Sequence, residues 1–167
     1  MRCIADTTAR PTFGPGVGAS SARLREFGAG DIPIISEIVA EGLHEHYDPS
    51  LYVSLSQQWP QGFLIAADAL GRPIGFLLGV SQIEHEARIL MFAVDRDHRI
   101  QGVGSTLMKA FLERCRDRRY TRVTLEVRVS NATAIRFYTG FRFSVIELLR
   151  GYYSDGENGY QMARPVD

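Results

Sequence analysis

The 167-residue chain is poor in cysteine, has a formal net charge of zero and lacks long apolar runs. Its two cysteines, Cys3 and Cys115, cannot form the disulfide framework of a small secreted domain, so we expect a reducing, cytoplasmic environment. No apolar stretch approaches the roughly 20 residues that a membrane-spanning helix needs, and we expect no membrane partner. The sequence contains no internal repeat.

The start of the chain lacks the apolar segment of a signal peptide. Residues 1–20 are rich in glycine and proline instead, and we expect them to form a flexible leader. Residues 21–167 are long enough for one domain with a substantial core and too short for two. With 45% hydrophobic and 23% charged residues, the composition is that of an ordinary globular protein.

Positive charge is missing from residues 31–60, which contain no lysine or arginine. The acids of this stretch are Asp31, Glu37, Glu41, Glu45 and Asp48. Residues 96–128 are rich in basic residues, namely Arg96, Arg99, Lys109, Arg114, Arg116, Arg118, Arg119, Arg122 and Arg128. The acidic stretch suits a cationic substrate and the basic one a polyanionic cofactor, although two solvated helix faces would give the same pattern. We expect no nucleic-acid partner, because acids alternate with the basic residues.

The spacing of apolar residues predicts a strand, two helices, an antiparallel meander, and then strand, helix, strand, helix and two closing strands. This order indicates an α/β fold (α+β in some schemes) with a mixed sheet. The predicted strands are 22–27, 63–67, 74–80, 89–94, 123–127, 144–153 and 160–163. One helix is predicted to begin after an N-cap at Asp31. Three further helices are predicted to cover 51–58, 103–119 and 132–138.

The most informative segment is a glycine turn between a buried strand and an amphipathic helix. It reads Arg99-Ile-Gln-Gly-Val-Gly104. Unpaired amides in such a turn and the positive end of the helix dipole favour a polyanion, which predicts a site for a phosphorylated cofactor. A P-loop would need a lysine after Gly104, where the chain has Ser105. A dinucleotide fingerprint would need a small residue at position 107, which is Leu107.

This turn, following a hydrophobic strand, resembles the acetyl-CoA signature of the GNAT acetyltransferases. The resemblance continues through Leu125-Glu-Val-Arg-Val-Ser-Asn131, Ala134-Ile-Arg-Phe-Tyr138, Phe143 and Tyr152-Tyr153. It is most similar to the bacterial ribosomal-protein alanine N-acetyltransferases, and it covers residues 86–163. The resemblance implies a single GNAT-like domain, with a mixed, mostly antiparallel sheet flanked by helices. It also implies acetyl transfer from acetyl-CoA to a primary amine, above all the N-terminal α-amine of a protein or peptide.

The resemblance further implies roles for individual residues, with no metal among the groups they hold. The implied cofactor site comprises Phe92, Ala93, Val94, Arg99, Ile100, Gln101, Gly102, Val103, Gly104, Ser105 and Asn131. Glu126 is the implied base and Tyr138 the implied acid. A phenol with a pKa of about 10 is a reasonable proton donor to a departing thiolate. An α-amine with a pKa near 8 is already partly neutral at neutral pH, which eases its attack.

Simpler explanations exist for three of these residues. Glu126 could be a strand-end charge paired with Arg122 or Arg128. Asn131 could cap a helix, and Tyr138 could be a core residue with a solvated hydroxyl. The alternating His44 and His46 do not bring two imidazoles together on a metal. For Tyr152 and Tyr153 the alternatives are the lining of an acceptor groove and a packed hairpin pair.

Arg142 departs from the family pattern, which usually has glycine before the aromatic residue at 143. Glycine at that position relaxes the end of a helix with a positive φ, which arginine tolerates poorly. We therefore expect Gly140 to take over this role.

Three functions remain open on the residues alone. The first is N-terminal acetylation, and the second is acetylation of a small amine such as a polyamine, amino acid or aminoglycoside. The third is a non-catalytic module that binds coenzyme A as a sensor. The sequence also leaves open whether the chain forms a homodimer.

Overall fold

The structure, a computed structural model, describes residues 22–167. The expected leader, residues 1–20, and Cys3 lie outside the described residues. The strands are β1 (Arg23–Glu26), β2 (Phe63–Ala67), β3 (Pro73–Ile83), β4 (Glu86–Val94), β5 (Arg122–Arg128), β6 (Ser144–Leu149) and β7 (Gly159–Pro165). The α-helices are α1 (Ile32–Leu43), α2 (Pro49–Gln58), α3 (Val103–Asp117) and α4 (Ala132–Gly140). The predicted order of elements is confirmed.

The seven strands form one sheet in the order β1-β2-β3-β4-β5-β7-β6. Only β4 and β5 are parallel among these pairs, and α3 makes the crossover between them. The expected mixed, mostly antiparallel sheet is therefore confirmed. None of the helices within residues 22–167 has both the length and the apolar character needed to span a membrane.

Helices cover both faces of the sheet. On one face α3 and α4 pack through residues such as Leu107, Phe111 and Ala134, and on the other α1 and α2 pack through Ile35 and Leu55. Alternation along β5 follows from the pleat, which sends successive side chains to opposite faces. Its apolar residues Val123, Leu125 and Val127 join the α3 cluster, so Thr124 and Glu126 lie on the α1 face.

The feature that matters most for the site is the seam between β4 and β5. Their pairing runs from Glu86 with Arg122 to Ile89 with Leu125 and stops there. Both strands continue beyond that point, β4 to Val94 and β5 to Arg128. The second half of β4 stays paired with β3 on its other side. The two strands therefore separate beyond Ile89, which leaves a gap in the middle of the sheet.

Two differences from the sequence expectations concern the end of a strand and the start of a helix. The strand predicted to run from 144 to 153 ends at Leu149, because Gly151 takes a positive φ of 56° and turns the chain. Tyr152 and Tyr153 therefore lie in the β6–β7 connection and not in a hairpin pair. Asp31 does hold the N-cap position of α1, but its side chain makes no capping bond. Its carboxylate instead accepts hydrogen bonds from Arg25 and from the amide of Gly28.

The expectation that Gly140 relaxes the end of α4 is wrong. Gly140 remains inside the helix, and Arg142 itself adopts the positive φ, at 67°. The turn is held by hydrogen bonds from the amides of Arg142 and Phe143 to the carbonyls of Thr139 and Tyr138. These bonds, together with the burial of Phe143, outweigh the unfavourable conformation of one arginine.

Candidate active site

A cleft of about 320 Å³ opens where β4 leaves β5. Its walls come from the end of β4, the loop that follows, the first turn of α3, and α4. The lining residues are Phe92, Ala93, Val94, His98, Arg99, Ile100, Gly102, Gly104, Ser105 and Phe137. The cleft is thus largely made of one continuous segment, residues 92–105, with one aromatic side chain from α4 closing it.

The first turn of α3 gives this cleft its anion-binding character. Gly102 is the N-cap, with a φ of 84° that an L side chain rarely adopts, and no side chain caps the helix. The first amides of a helix have no partner within the helix, and here they lie along the cleft. A Cβ on Gly104 would lie 3.4 Å from Phe92 Cζ and 3.7 Å from Phe137 Cζ, so the missing side chain keeps the cleft open.

Most of the cofactor residues expected from the sequence lie together in this cleft. Three do not line it: Gln101, Val103 and Asn131. Val103 is buried in the core below α3, and the Gln101 side chain donates to the carbonyl of Asp97 at 3.0 Å. Arg99 lines the cleft and also holds its shape, because its Nε donates to the carbonyl of Val94 at 3.0 Å.

Sequence reasoning missed two lining residues, His98 and Phe137. His98 directly precedes the glycine-turn motif, and Phe137 directly precedes Tyr138. Their position beside candidate site residues is the sequence signal that could have identified them. The Phe137 ring packs against Phe92, with 5.6 Å between ring centroids. The two aromatic side chains form an apolar wall opposite the polar turn.

Asn131 lies at a second, polar groove of about 630 Å³. Its Oδ1 accepts a hydrogen bond from the amide of Ala134 at 3.0 Å, so it caps α4. The groove is bounded by the end of α1, the β5–α4 turn and the β6–β7 connection. Its lining residues are Gly42, Leu43, His44, Glu45, Arg128, Ser130, Asn131, Ala132, Thr133, Ser154, Asp155 and Glu157.

Ion pairs hold the wall of this groove together. Arg128 donates to Asp155 and Glu157, and its guanidinium lies 4.0 Å from the centre of the Tyr153 ring. Glu157 also accepts from the amide and hydroxyl of Ser130. The Ser130 hydroxyl contributes most to holding the pKa of Glu157 below its ordinary value, and Arg128 adds to this. The β6–β7 connection is thereby fixed to the end of β5.

Glu126 is buried, with 3% of its side chain exposed, at the position where β5 leaves β4. Its partner is neither Arg122 nor Arg128, as the sequence suggested, but Arg88 on β4. Arg88 donates to Glu126 Oε2 from Nε at 3.0 Å and from Nη2 at 2.9 Å. Nη2 also donates to the Tyr152 hydroxyl at 3.1 Å. Arg122 pairs instead with Glu86.

Tyr138 is buried on the opposite face of the sheet from Glu126. Its ring packs against Phe92, Phe137 and Phe143, with centroid distances of 6.4, 5.6 and 5.8 Å. Since Phe92 and Phe137 both line the cleft, Tyr138 lies directly behind the cleft wall. Cys115, also on this side, is buried, which raises the pKa of its thiol to about 12 and leaves it unreactive.

The cleft has the features that coenzyme A requires. The edge of β4 beyond the seam can pair with the amides of an extended arm, as an added strand would. The amides of the α3 N-terminus suit a diphosphate, and the absent side chain at Gly104 leaves room for close approach.

Known proteins resemble this chain in both sequence and fold. The model of the acetyltransferase (GNAT) family matches residues 32–141. An N-alpha-acetyltransferase of Sulfolobus acidocaldarius is 34% identical over 148 residues, which cover 81% of this chain and 88% of the relative. The crystal structure of Ard1 from Thermoplasma volcanium matches with a TM-score of 0.84 at 42% identity, over 88% of this chain and 99% of that one.

The expected likeness to ribosomal-protein alanine acetyltransferases is found at the level of the fold. The ribosomal-protein-S18-alanine N-acetyltransferase from Escherichia coli matches with a TM-score of 0.76 at 24% identity, over 87% of this chain and 94% of that one. Both the family match and the archaeal relative extend across the cleft and the seam. The chain belongs to the GNAT acetyltransferase family and is an acyltransferase that uses acetyl-CoA.

Proposed function

We propose that this enzyme acetylates the N-terminal α-amine of proteins or peptides. The observation that carries the proposal is the arrangement around the seam. The cofactor cleft is bounded by α3 and α4, the polar groove by the end of α1, and Glu126 lies where the strands separate. The gap in the sheet gives an amine in the groove access to a thioester in the cleft. The relatives named N-alpha-acetyltransferase support this choice of acceptor.

The cofactor supplies an activated acetyl group as a thioester. The chain's own groups bind and orient it. We assign the first amides of α3 and the glycine turn to the diphosphate, and the main chain of Phe92, Ala93 and Val94 to the pantetheine arm. Arg99 keeps the Val94 carbonyl engaged, which fixes the strand end against the loop. Asn131 caps α4 at the edge of the groove, and we assign its amide to the cofactor as well.

Glu126 is assigned as the base that takes a proton from the acceptor amine, directly or through a water molecule. An α-amine with a pKa of about 8 loses its proton far more readily than a lysine side chain near 10.4. Tyr138, behind the cleft wall, is assigned as the acid that protonates the departing thiolate.

The polar groove is assigned to the residues that follow the acceptor amine. Arg128, in its wall, lies two residues along β5 from Glu126 and on the same face, which is a distance of about 7 Å. Tyr152 and Tyr153 link the two places through Arg88 and Arg128. The cytoplasmic location remains a prediction, and the sequence leaves the formation of a homodimer open.

The test is thiol release from acetyl-CoA with three acceptor sets. These are peptides with a free N-terminus, the same peptides with a blocked N-terminus and an internal lysine, and small amines including polyamines. We expect turnover only with free N-termini, with mass spectrometry locating the acetyl group on the α-nitrogen. Turnover confined to the small amines would reject the proposed acceptor. Binding of coenzyme A without any turnover would favour the sensor instead.

A further inference from the structure

Arg88 contacts Glu126 through a single carboxylate oxygen, which accepts both of the hydrogen bonds that Arg88 donates to this side chain. Nε and Nη2 lie 3.0 and 2.9 Å from Oε2. A bidentate arginine–carboxylate pair would use both oxygens and occupy the whole carboxylate. Here Oε1 lies outside the fork, while the side chain as a whole is only 3% exposed.

The pair also has a particular place in the sheet. Arg88 lies on β4 within the last paired residues of the seam, and Glu126 follows Leu125, the final paired residue of β5. The hydrogen bonds therefore cross from one strand to the other at the apex of the gap. Nη2 reaches further, to the Tyr152 hydroxyl in the β6–β7 connection. One guanidinium thus joins both strands of the seam to the wall of the acceptor side.

We propose that Arg88 is a positioning residue for acetyl transfer, which holds Glu126 by Oε2 so that Oε1 faces the acceptor amine or its water. This inference rests on the proposed role of Glu126 as base. Lysine could keep the positive charge at position 88, but a single ammonium cannot reproduce the planar fork that fixes the carboxylate plane. Arg88 itself acts through Glu126 and does not exchange a proton.

Within residues 22–167, few other charged groups share this face near Glu126. Arg128 lies two residues further along β5, where Asp155 and Glu157 engage it. Tyr152 contacts Arg88, Tyr153 lies under Arg128, and the residue paired with Glu126 on β7 is the neutral Gln161. Helix α1 turns apolar residues such as Ile38 and Val39 toward the sheet, and Glu45 beyond its end lines the groove. Among the residues that the structure describes, Arg88 is therefore the group whose removal should alter Glu126 most.

The test is a double-mutant cycle in the full chain with Arg88→Gln and Glu126→Gln, assayed with an accepted peptide. We expect each single variant to lower kcat by roughly 10-fold or more. In the Glu126→Gln background, Arg88→Gln should have little further effect, because its role passes through the missing carboxylate. Arg88→Lys should recover part of the kcat. Arg122→Gln is the matched control, because that arginine lies away from the apex, where its Nε is 3.8 Å from Glu86 Oε1. This variant should leave kcat unchanged.

A second measurement separates positioning from a structural role. In Arg88→Gln the kcat should fall while the KM for peptide changes little, because the arginine orients the carboxylate and does not bind the acceptor. Coenzyme A affinity, measured by calorimetry, should stay within about 2-fold. Additive effects in the cycle, or a raised KM for peptide with an unchanged kcat, would overturn the positioning role. Wild-type activity in Glu126→Gln would instead show that Glu126 is not the base. If Arg88→Gln does not fold, Arg88→Lys carries the same comparison.

Discussion

The proposed cofactor cleft on the α3 face is formed by nearly continuous main chain, whereas the groove on the α1 face is assembled from side chains of three separate segments. In the cleft, residues 92–105 supply most of the lining, and the important atoms are amides and absent side chains. In the groove, charged side chains from the β5–α4 turn and the β6–β7 connection hold one another in place. The cleft should therefore respond to changes of side-chain size, and the groove to changes of charge.

We expect the variant Gly104→Val to have the largest effect, and to affect the cleft without affecting the groove. The Cβ alone would lie 3.4 Å from Phe92, and the two further methyl groups would fill the cleft. We expect affinity for coenzyme A to fall by on the order of 100-fold in calorimetric titrations, with the chain still folded. The control is Gly140→Ala, where a Cβ meets nothing within 4 Å. Unchanged affinity in Gly104→Val would place the cofactor elsewhere.

A smaller loss is expected from Tyr138→Phe, which removes one hydroxyl and keeps the ring packing against Phe92, Phe137 and Phe143. If this hydroxyl protonates the thiolate, kcat should fall by roughly 10- to 100-fold. The affinity for coenzyme A should be unaffected. Steady-state kinetics and calorimetry on the same preparation check both statements. A kcat equal to that of the wild type would make Tyr138 a purely structural residue.

On the acceptor side, Glu157→Gln should act through binding. It weakens the link between Arg128, Ser130 and the β6–β7 connection, so the groove loses part of its wall. We expect the KM for peptide to rise roughly 3- to 10-fold, because the pair is partly exposed and contributes modestly. The KM for acetyl-CoA should not change. A rise in both would mean that the two regions are not separable.

Acid should loosen the groove before the cleft. The pKa of Glu157 lies below its ordinary value of 4.5, and that of Asp155 below 3.8. The hydrogen bond from the Ser130 side chain is the main cause for Glu157, and that from the amide of Glu157 for Asp155. A lowered pKa means that the stabilisation is complete above the ordinary value and is lost as the pH falls through the lowered one. Hydrogen exchange in residues 151–158, corrected for intrinsic rates, should therefore increase below about pH 4.5, while the amides of residues 107–112 stay protected.

The smallest effect is expected from Arg142→Gly, which lies outside both regions. Glycine relieves the positive φ of 67° but gains freedom in the unfolded chain, and it loses an exposed ion pair with Asp167. We expect a change in the free energy of unfolding of less than about 1 kcal/mol, and unaltered kcat. Thermal unfolding and a peptide assay check this. A large drop in kcat would connect the end of α4 to the orientation of Tyr138.

The contrast between the regions also explains how far the sequence could be interpreted. The glycine turn and the apolar strand before it are adjacent in the chain, so the cleft could be predicted from one segment. Glu126 was identified, but its partner Arg88 was not, because the two meet only through a parallel crossover of 38 residues. The groove joins segments far apart in sequence, and no local pattern marks it.

Local misjudgements have physical causes as well. The strand after Ser144 is mostly apolar through Leu149, and the aromatic Tyr152 and Tyr153 have the residue types of a continuing strand, although Gly151 turns the chain. Asp31 has the residue type and position of an N-cap, yet an arginine six residues away holds its carboxylate. Contacts between charged groups that form only in the folded chain could not be predicted from the local sequence.

The separation of β4 from β5 has a consequence for how the chain can vary. In the proposed site the cofactor meets a peptide edge between Leu90 and Val94, and that edge exists whatever side chains the strand carries. Substitution there is limited by packing on the two faces of the sheet and not by recognition. Side chains in this stretch can therefore change without loss of cofactor recognition. Gly104, in the first turn of α3, cannot be replaced in the same way, because any side chain there would enter the cleft.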